Sequence, residues 1–178
     1  NPVEQSGTYA LPEAQLDRFL MFVRVGYPSA AEEVEILKRT TGTQSVTLKE
    51  VLHTQDILTL QGLVRQVDIS AVLLEYISVL TRNTRPQVAD FVRWGAGPRA
   101  GQALVLCAKA NALLNERFAV TLTDIHKVAH GVLRHRILLN FQAEAQNVDT
   151  DTVIDHLLKH TPLPKSPLTS STSAGNLS

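Results

Sequence analysis

The sequence predicts a mainly α protein, with a bundle of five or six helices over residues 29–160. A short helix-strand piece ending near Pro28 precedes it, and a disordered tail over 161–178 follows. Three observations predict this class. Apolar residues recur at a 3.6-residue period in successive segments from Ser29 onward. Cap signatures open several of these segments, and glycine or proline closes them. Only one run, Met21–Val25, has the β-prone composition of a strand, and it stops at Gly26.

The first ten residues, with Asn1, Pro2, Ser6 and Gly7, read as a loop. Pro12 suits the first position of a short helix, where no amide partner is needed, and Leu16, Phe19 and Leu20 supply its apolar stripe. The strand follows at once. Ser29-Ala30-Ala31-Glu32 is a capping box, in which the hydroxyl and the carboxylate each satisfy a free backbone amide, and its helix stops at Gly42. A second helix carries Ile57, Leu60, Val64 and Val67 on one face. Asp68 is placed to cap a third, with Ile69, Val72, Leu73, Tyr76, Ile77 and Leu80 as its stripe. That helix ends before Pro86, because the residue ahead of a proline is pushed out of the α region.

Pro98 opens a fourth helix rich in small residues (Ala100, Ala103, Cys107, Ala108, Ala110), with Leu104 and Leu114. Small faces let neighbouring helices approach, so this is the expected central helix. Thr121-Leu122-Thr123-Asp124 is a second capping box, opening a helix whose Ile125, Val128, Ala129, Val132 and Leu133 face inward. The last helix, about Thr150 to His160, carries Val153, Ile154, Leu157 and Leu158. From Pro162 onward, three prolines and seven Ser or Thr accompany a single charge, a composition that cannot form a core.

Composition narrows the function classes. Seventeen basic residues balance seventeen acidic ones, so bulk attraction to nucleic acid or anionic membrane is not indicated. A single cysteine cannot form an internal disulfide, which favours a cytoplasmic protein. No window has eighteen consecutive apolar residues, so no membrane insertion is expected. The chain starts at Asn1 without an initiator Met and reads as a cut through something longer.

Among chemistry-bearing residues the main anomaly is Gly95-Ala96-Gly97-Pro98-Arg99. A helix N-terminus carries unpaired amides and partial positive charge, so an arginine in its first turn is mildly unfavourable unless it meets an anion. An exposed arginine on an ordinary junction is the plain alternative. Arg18, beside Asp17 and ahead of the strand, is a second candidate, for which a local ion pair or a solvated helix face is the more common role. His126 with His130, and His156 with His160, have the i, i+4 spacing of metal ligands, but no glutamate completes a zincin motif and no metal site is assigned. Arg134-His135-Arg136 is a basic cluster at a helix end, where cations complement the dipole. Cys107 lies mid-helix among apolar residues and is expected to be inert. The sequence contains no phosphate loop ending in Gly-Lys-Ser or Gly-Lys-Thr.

Residues Asn1-Pro2-Val3-Glu4-Gln5, Gly7-Thr8-Tyr9 and Leu11 through Phe19 closely resemble the segment that follows the Walker B strand in MoxR-type AAA+ ATPases. Gly95-Ala96-Gly97-Pro98-Arg99-Ala100 resembles that family's sensor 2 motif. Arg117 through Thr121, with Val132 through Arg136, resembles its closing helical segment. The resemblance implies that residues 1–28 are the end of an αβα core, 29–160 a helical lid, and 161–178 a tail outside the match. It implies roles for Asn1 (sensor 1), Arg18 (an arginine finger inserted into a neighbouring subunit's site) and Arg99 (sensor 2), whether Arg99 acts in cis or in trans being left open. It further implies ATP and Mg²⁺ held mainly by a preceding half, a hexameric ring, and remodelling of client proteins, with von Willebrand factor A domain proteins as partners. Two departures stand out: Gly97 where the family has Ser, and Trp94 in place of an aliphatic residue, which puts local lid packing in question. The rival reading is a non-catalytic helical protein-interaction module.

Overall fold

The computed structural model describes residues 12–43 and 48–163. Its elements, in chain order, are α1 (Glu13–Leu16), α2 (Ala30–Thr41), α3 (Thr54–Gln66), α4 (Ala71–Asn83), β1 (Val92–Trp94), α5 (Pro98–Leu114), α6 (Leu122–Leu133), β2 (Leu138–Leu139), α7 (Phe141–Ala145) and α8 (Thr150–His160). They fall into two compact units. One runs from Val23 to Gly62; the other joins the residues up to Phe22 with those from Leu63 onward.

The Val23–Gly62 unit contains α2 and most of α3, and none of its described residues is buried. Its α2 starts as the capping box predicts: the Ser29 amide donates to Glu32 Oε2 at 2.8 Å, and the Glu32 amide donates back to Ser29 Oγ. Glu35 and Arg39 pair one turn apart at 2.8 Å, a solvated contact worth a few tenths of a kcal/mol, about 0.3–0.5.

The larger unit holds the core. The centre is α5, whose small residues Ala100, Ala103, Cys107, Ala108 and Ala112 are buried and let α4 and α6 lie close against it. Leu80 of α4, Leu104 of α5, Ile125 and Leu133 of α6 and Ile154 of α8 are fully buried around that axis. The stripes expected of α6 and α8 face this core, and α8 spans the expected residues. Leu114, by contrast, is exposed at the C-terminal end of α5. Burial also pushes the Cys107 thiol up, which keeps it protonated and unreactive.

Several expectations are corrected. Met21–Val25 is not a strand: Phe22 donates its amide to the Gly131 carbonyl of α6 at 2.7 Å, and no neighbouring strand pairs with the run among the described residues. A strand needs a ladder partner, and propensity cannot supply one. Two short strands form elsewhere, β1 and β2, antiparallel with Val92 opposite Leu139 and an irregular register before Trp94. Pro12 stands one position ahead of α1, which ends at Leu16, so Phe19 and Leu20 lie beyond the helix.

Asp68 does not cap α4. Ser70 does, accepting the Leu73 amide, while the backbone of Asp68 is bonded to Phe118 and Val120. Both residues are good cap formers; the pairing with 118–120 fixes Asp68 in extended backbone two residues too early. The short α7, capped by Asn140, has too few turns to register in the periodicity.

Candidate functional site

The site begins with a backbone constraint. Thr84, fully buried just after α4, donates its hydroxyl to the Thr81 carbonyl at 2.7 Å and accepts the Ala96 amide at 2.8 Å. The chain at Gly95 is thereby pressed against the end of α4, so that a Cβ at Gly95 would lie 2.3 Å from the Thr84 carbonyl oxygen. Only glycine fits. Gly97, the N-cap of α5, has open space where a Cβ would go and supplies no side-chain cap. Pro98 follows at the first helical turn, and Arg99 projects from it, exposed.

Three segments meet beside this loop: Glu13 to Arg18, Arg85 to Arg99, and His135 to Leu138. They line a cleft of about 850 Å³ with five arginines, Arg18, Arg85, Arg93, Arg99 and Arg136, against two carboxylates, Glu13 and Asp17. The chain as a whole is neutral, so the excess of three positive charges in this cleft, five arginines less two carboxylates, is balanced by acidic groups elsewhere. The β1–β2 pair joins the strand before the glycine loop to the segment after α6, which brings Arg93 and the loop to Arg136.

Arg136 forms the floor. Its side chain is 3% exposed, and its guanidinium donates to Asp17 Oδ1 at 3.1 Å, to the Asp17 carbonyl at 3.0 Å and to the Phe19 carbonyl at 2.6 Å. It also reaches the carbonyls of Leu20 and Val132. The helix-dipole explanation of the Arg134-His135-Arg136 cluster is therefore incomplete. Arg134 makes a two-pronged contact with Asp151 of α8, and Arg136 clamps a segment more than a hundred residues earlier. His135 Nε2 meets the Phe19 carbonyl at 3.0 Å, so that nitrogen carries the proton of the neutral ring, and burial lowers its basicity.

Of the predicted site residues, Arg18 and Arg99 share this cleft, and Arg99 contacts Asp17 Oδ2 at 3.4 Å. Asn1 lies outside the described residues. The spaced histidines have other partners: His126 bonds Tyr76 at 2.8 Å, His130 faces Asp155 at 3.0 Å, and the rings of His156 and His160 stack at 4.0 Å. Trp94 is exposed on the cleft wall, so that departure bears on the cleft and not on lid packing.

Four forked cations, Arg18, Arg85, Arg93 and Arg99, above the buried and fully engaged Arg136, with the glycine loop beside them, suit the oxygens of a phosphate. No group of three His, Cys, Asp or Glu that could hold a metal ion occurs among the described residues.

Comparison with known proteins gives the arrangement its family. Residues 86–157 match the AAA lid domain, and residues 1–21 match the model for ATPases associated with various cellular activities. Chaperone MoxR1 of Mycobacterium tuberculosis is 37% identical over 172 residues, 93% of this chain and 45% of that protein. The chain belongs to the MoxR family of AAA+ ATPases. The MoxR protein of Paracoccus denitrificans is 32% identical over 158 residues, 79% of the chain and 47% of its own length, and the uncharacterized protein YeaC of Bacillus subtilis is 36% identical over 92% of the chain and 51% of its own. A crystal structure from Cytophaga hutchinsonii, of a protein provisionally designated an ATPase, superposes with a TM-score of 0.85 at 36% identity over 93% of the chain and 52% of the other. The chain spans about half the length of the curated relatives it matches. In this MoxR-family chain the cleft draws on both matched parts: Asp17 and Arg18 fall in the ATPase match, Arg99 and Arg136 in the lid match.

Arg85, Arg93 and Arg136 were not legible as site residues. Arg85 reads as an ordinary cation at a helix end and Arg93 sits in a three-residue strand too short to detect. The excess of arginine in Arg134-His135-Arg136 was the available signal, since a dipole needs one cation and not three adjacent basic groups.

Proposed function

We propose that this chain supplies the arginine-bearing lid side of an ATP-hydrolysing, chaperone-type AAA+ machine. The observation that carries the reading is the shared cleft of Arg18 and Arg99. Phosphoryl transfer spreads negative charge over the γ-phosphate oxygens, and guanidinium groups held in position stabilise it without reorganising. Arg18 acts as the arginine finger toward a neighbouring subunit. Because Arg99 opens into the same cleft, it faces that same nucleotide and acts in trans as sensor 2. Arg85 and Arg93 add to the field that draws in the phosphates.

ATP and Mg²⁺ are the cofactors in this reading. The cleft binds the phosphate end alone; the phosphate loop and the Mg²⁺ carboxylates come from polypeptide outside these 178 residues, with Asn1 as sensor 1. By itself the chain hydrolyses no ATP. Assembled, it forms a hexameric cytoplasmic ring that remodels or matures client proteins, including those with von Willebrand factor A domains. No helix among the described residues is long and apolar enough to cross a membrane.

The test is subunit mixing in the full-length protein. Arg18→Ala and Arg99→Ala each cut turnover, Arg18→Ala by about a thousandfold. Mixing either variant with subunits mutated in the phosphate-loop lysine restores activity, because some interfaces then combine an intact loop with intact arginines. Failure of Arg99→Ala to be rescued would place Arg99 in cis, and normal turnover by Arg18→Ala would remove it from the mechanism.

A further inference from the structure

Asp17 divides its carboxylate between two arginines of unequal standing. Oδ1 is bound at 3.1 Å by Arg136, which is buried and also holds the carbonyls of Asp17, Phe19 and Leu20. Oδ2 meets Arg99 at 3.4 Å, the longer of the two contacts, and the Arg99 side chain is 59% exposed where that of Arg136 is 3%. One contact is built to stay and the other to exchange. Arg18 is the next residue along the chain, so whatever fixes Asp17 fixes the backbone that presents Arg18.

We infer that Asp17 is a positioning residue, mounted by Arg136, that holds Arg99 beside Arg18 until a nucleotide phosphate takes Arg99 over. The inference rests on the assignment of Arg99 and Arg18 to nucleotide in the reading above. A phosphate carries more charge than a carboxylate and can engage both prongs of a guanidinium, so it wins Arg99 from a single long contact. It does not win Arg136, whose donors are buried and occupied. The exchange leaves the Arg18 mount in place while Arg99 moves to the ligand, linking occupancy of the cleft to the state of the Asp17 carboxylate.

Asp17→Asn in the full-length protein tests this, because it keeps the shape and removes the charge that competes for Arg99. The expected result is binding of a fluorescent ADP analogue that is tighter by up to about fivefold, the range of one partly exposed ion pair. Turnover at saturating ATP falls about tenfold as the Arg18 mount loosens. A purely structural role would weaken binding and turnover together. In an Arg99→Ala background Asp17→Asn brings no tightening. Arg136→Lys, which keeps the charge but cannot fork to several acceptors, lowers turnover and leaves affinity close to wild type. Unchanged or weaker binding by Asp17→Asn, with Arg99→Ala binding weakly, overturns the exchange alone. Wild-type binding by Arg99→Ala overturns the assignment of Arg99, and the exchange with it.

Discussion

The hydroxyl of Thr84 joins the end of α4 to the glycine loop: it donates to the Thr81 carbonyl and accepts the Ala96 amide at 2.8 Å. Both the hydroxyl and the amide are buried, so this bond sets the height of the loop from which Arg99 departs. Thr84→Val keeps the volume and strands the amide. The expected loss of stability is about 1–3 kcal/mol, the cost of one buried unsatisfied donor, with weakened nucleotide binding in the full-length protein. Thr84→Ser retains the bond and should stay within about 1 kcal/mol of wild type. Chemical denaturation and nucleotide titration read both effects, and a wild-type Thr84→Val would show that the loop is held by something else.

The two glycines flanking Ala96 should respond in opposite senses. A Cβ at Gly95 would meet the Thr84 carbonyl at 2.3 Å, and backbone cannot give way there cheaply. Gly95→Ala should therefore destabilise by about 1–3 kcal/mol and displace Arg99. Gly97 faces open space at the N-cap of α5. Gly97→Ser adds a cap oxygen and should stabilise by a few tenths of a kcal/mol, about 0.2–0.5. Thermal unfolding of the pair settles the contrast; equal penalties at both positions would contradict the assigned geometry.

The Asp124 carboxylate of the core unit accepts five hydrogen bonds. Arg117 meets both its oxygens at 2.6–2.7 Å, Asn111 donates at 2.6 Å, and the Thr121 amide and hydroxyl donate at 2.8 and 2.7 Å. The Arg117 hydrogen bonds, followed by those from Thr121 and Asn111, hold its pKa well below the ordinary carboxylate value despite its burial. Asp124→Ala should cost about 3 kcal/mol, since it leaves donors buried without an acceptor. A carboxylate of lowered folded pKa stabilises above its unfolded value, near 3.9, and the contribution disappears as pH falls toward the folded value. Wild type should thus lose stability on acidification below about pH 5, and Asp124→Ala should lose less over the same window. Urea midpoints measured from pH 7 to pH 3 test the difference, and parallel curves would refute it.

What the sequence by itself determined is satisfied within a turn or two of chain, although the Ser70 cap of α4 and the short α7 are local too and were not read. The capping boxes at Ser29 and Thr121, the stop before Pro86, the small-residue face of α5 and the span of α8 are local, since caps and periodicity close over three or four residues. Arg99 was visible for the same reason, as a cation at the wrong end of a helix. Tertiary structure alone decided the rest. Arg99 and Asp17 are 82 residues apart in sequence, and Arg136 and Asp17 are 119 apart, so no local pattern could announce them. Met21–Val25 shows the converse: its strand propensity is strong, but a strand exists only with a neighbour to complete the ladder, and here Gly131 of α6 takes the amide of Phe22 instead. The arginine cleft belongs to this second class. Its charge is invisible in a neutral composition and arises only when chain closure brings three separate segments to one wall.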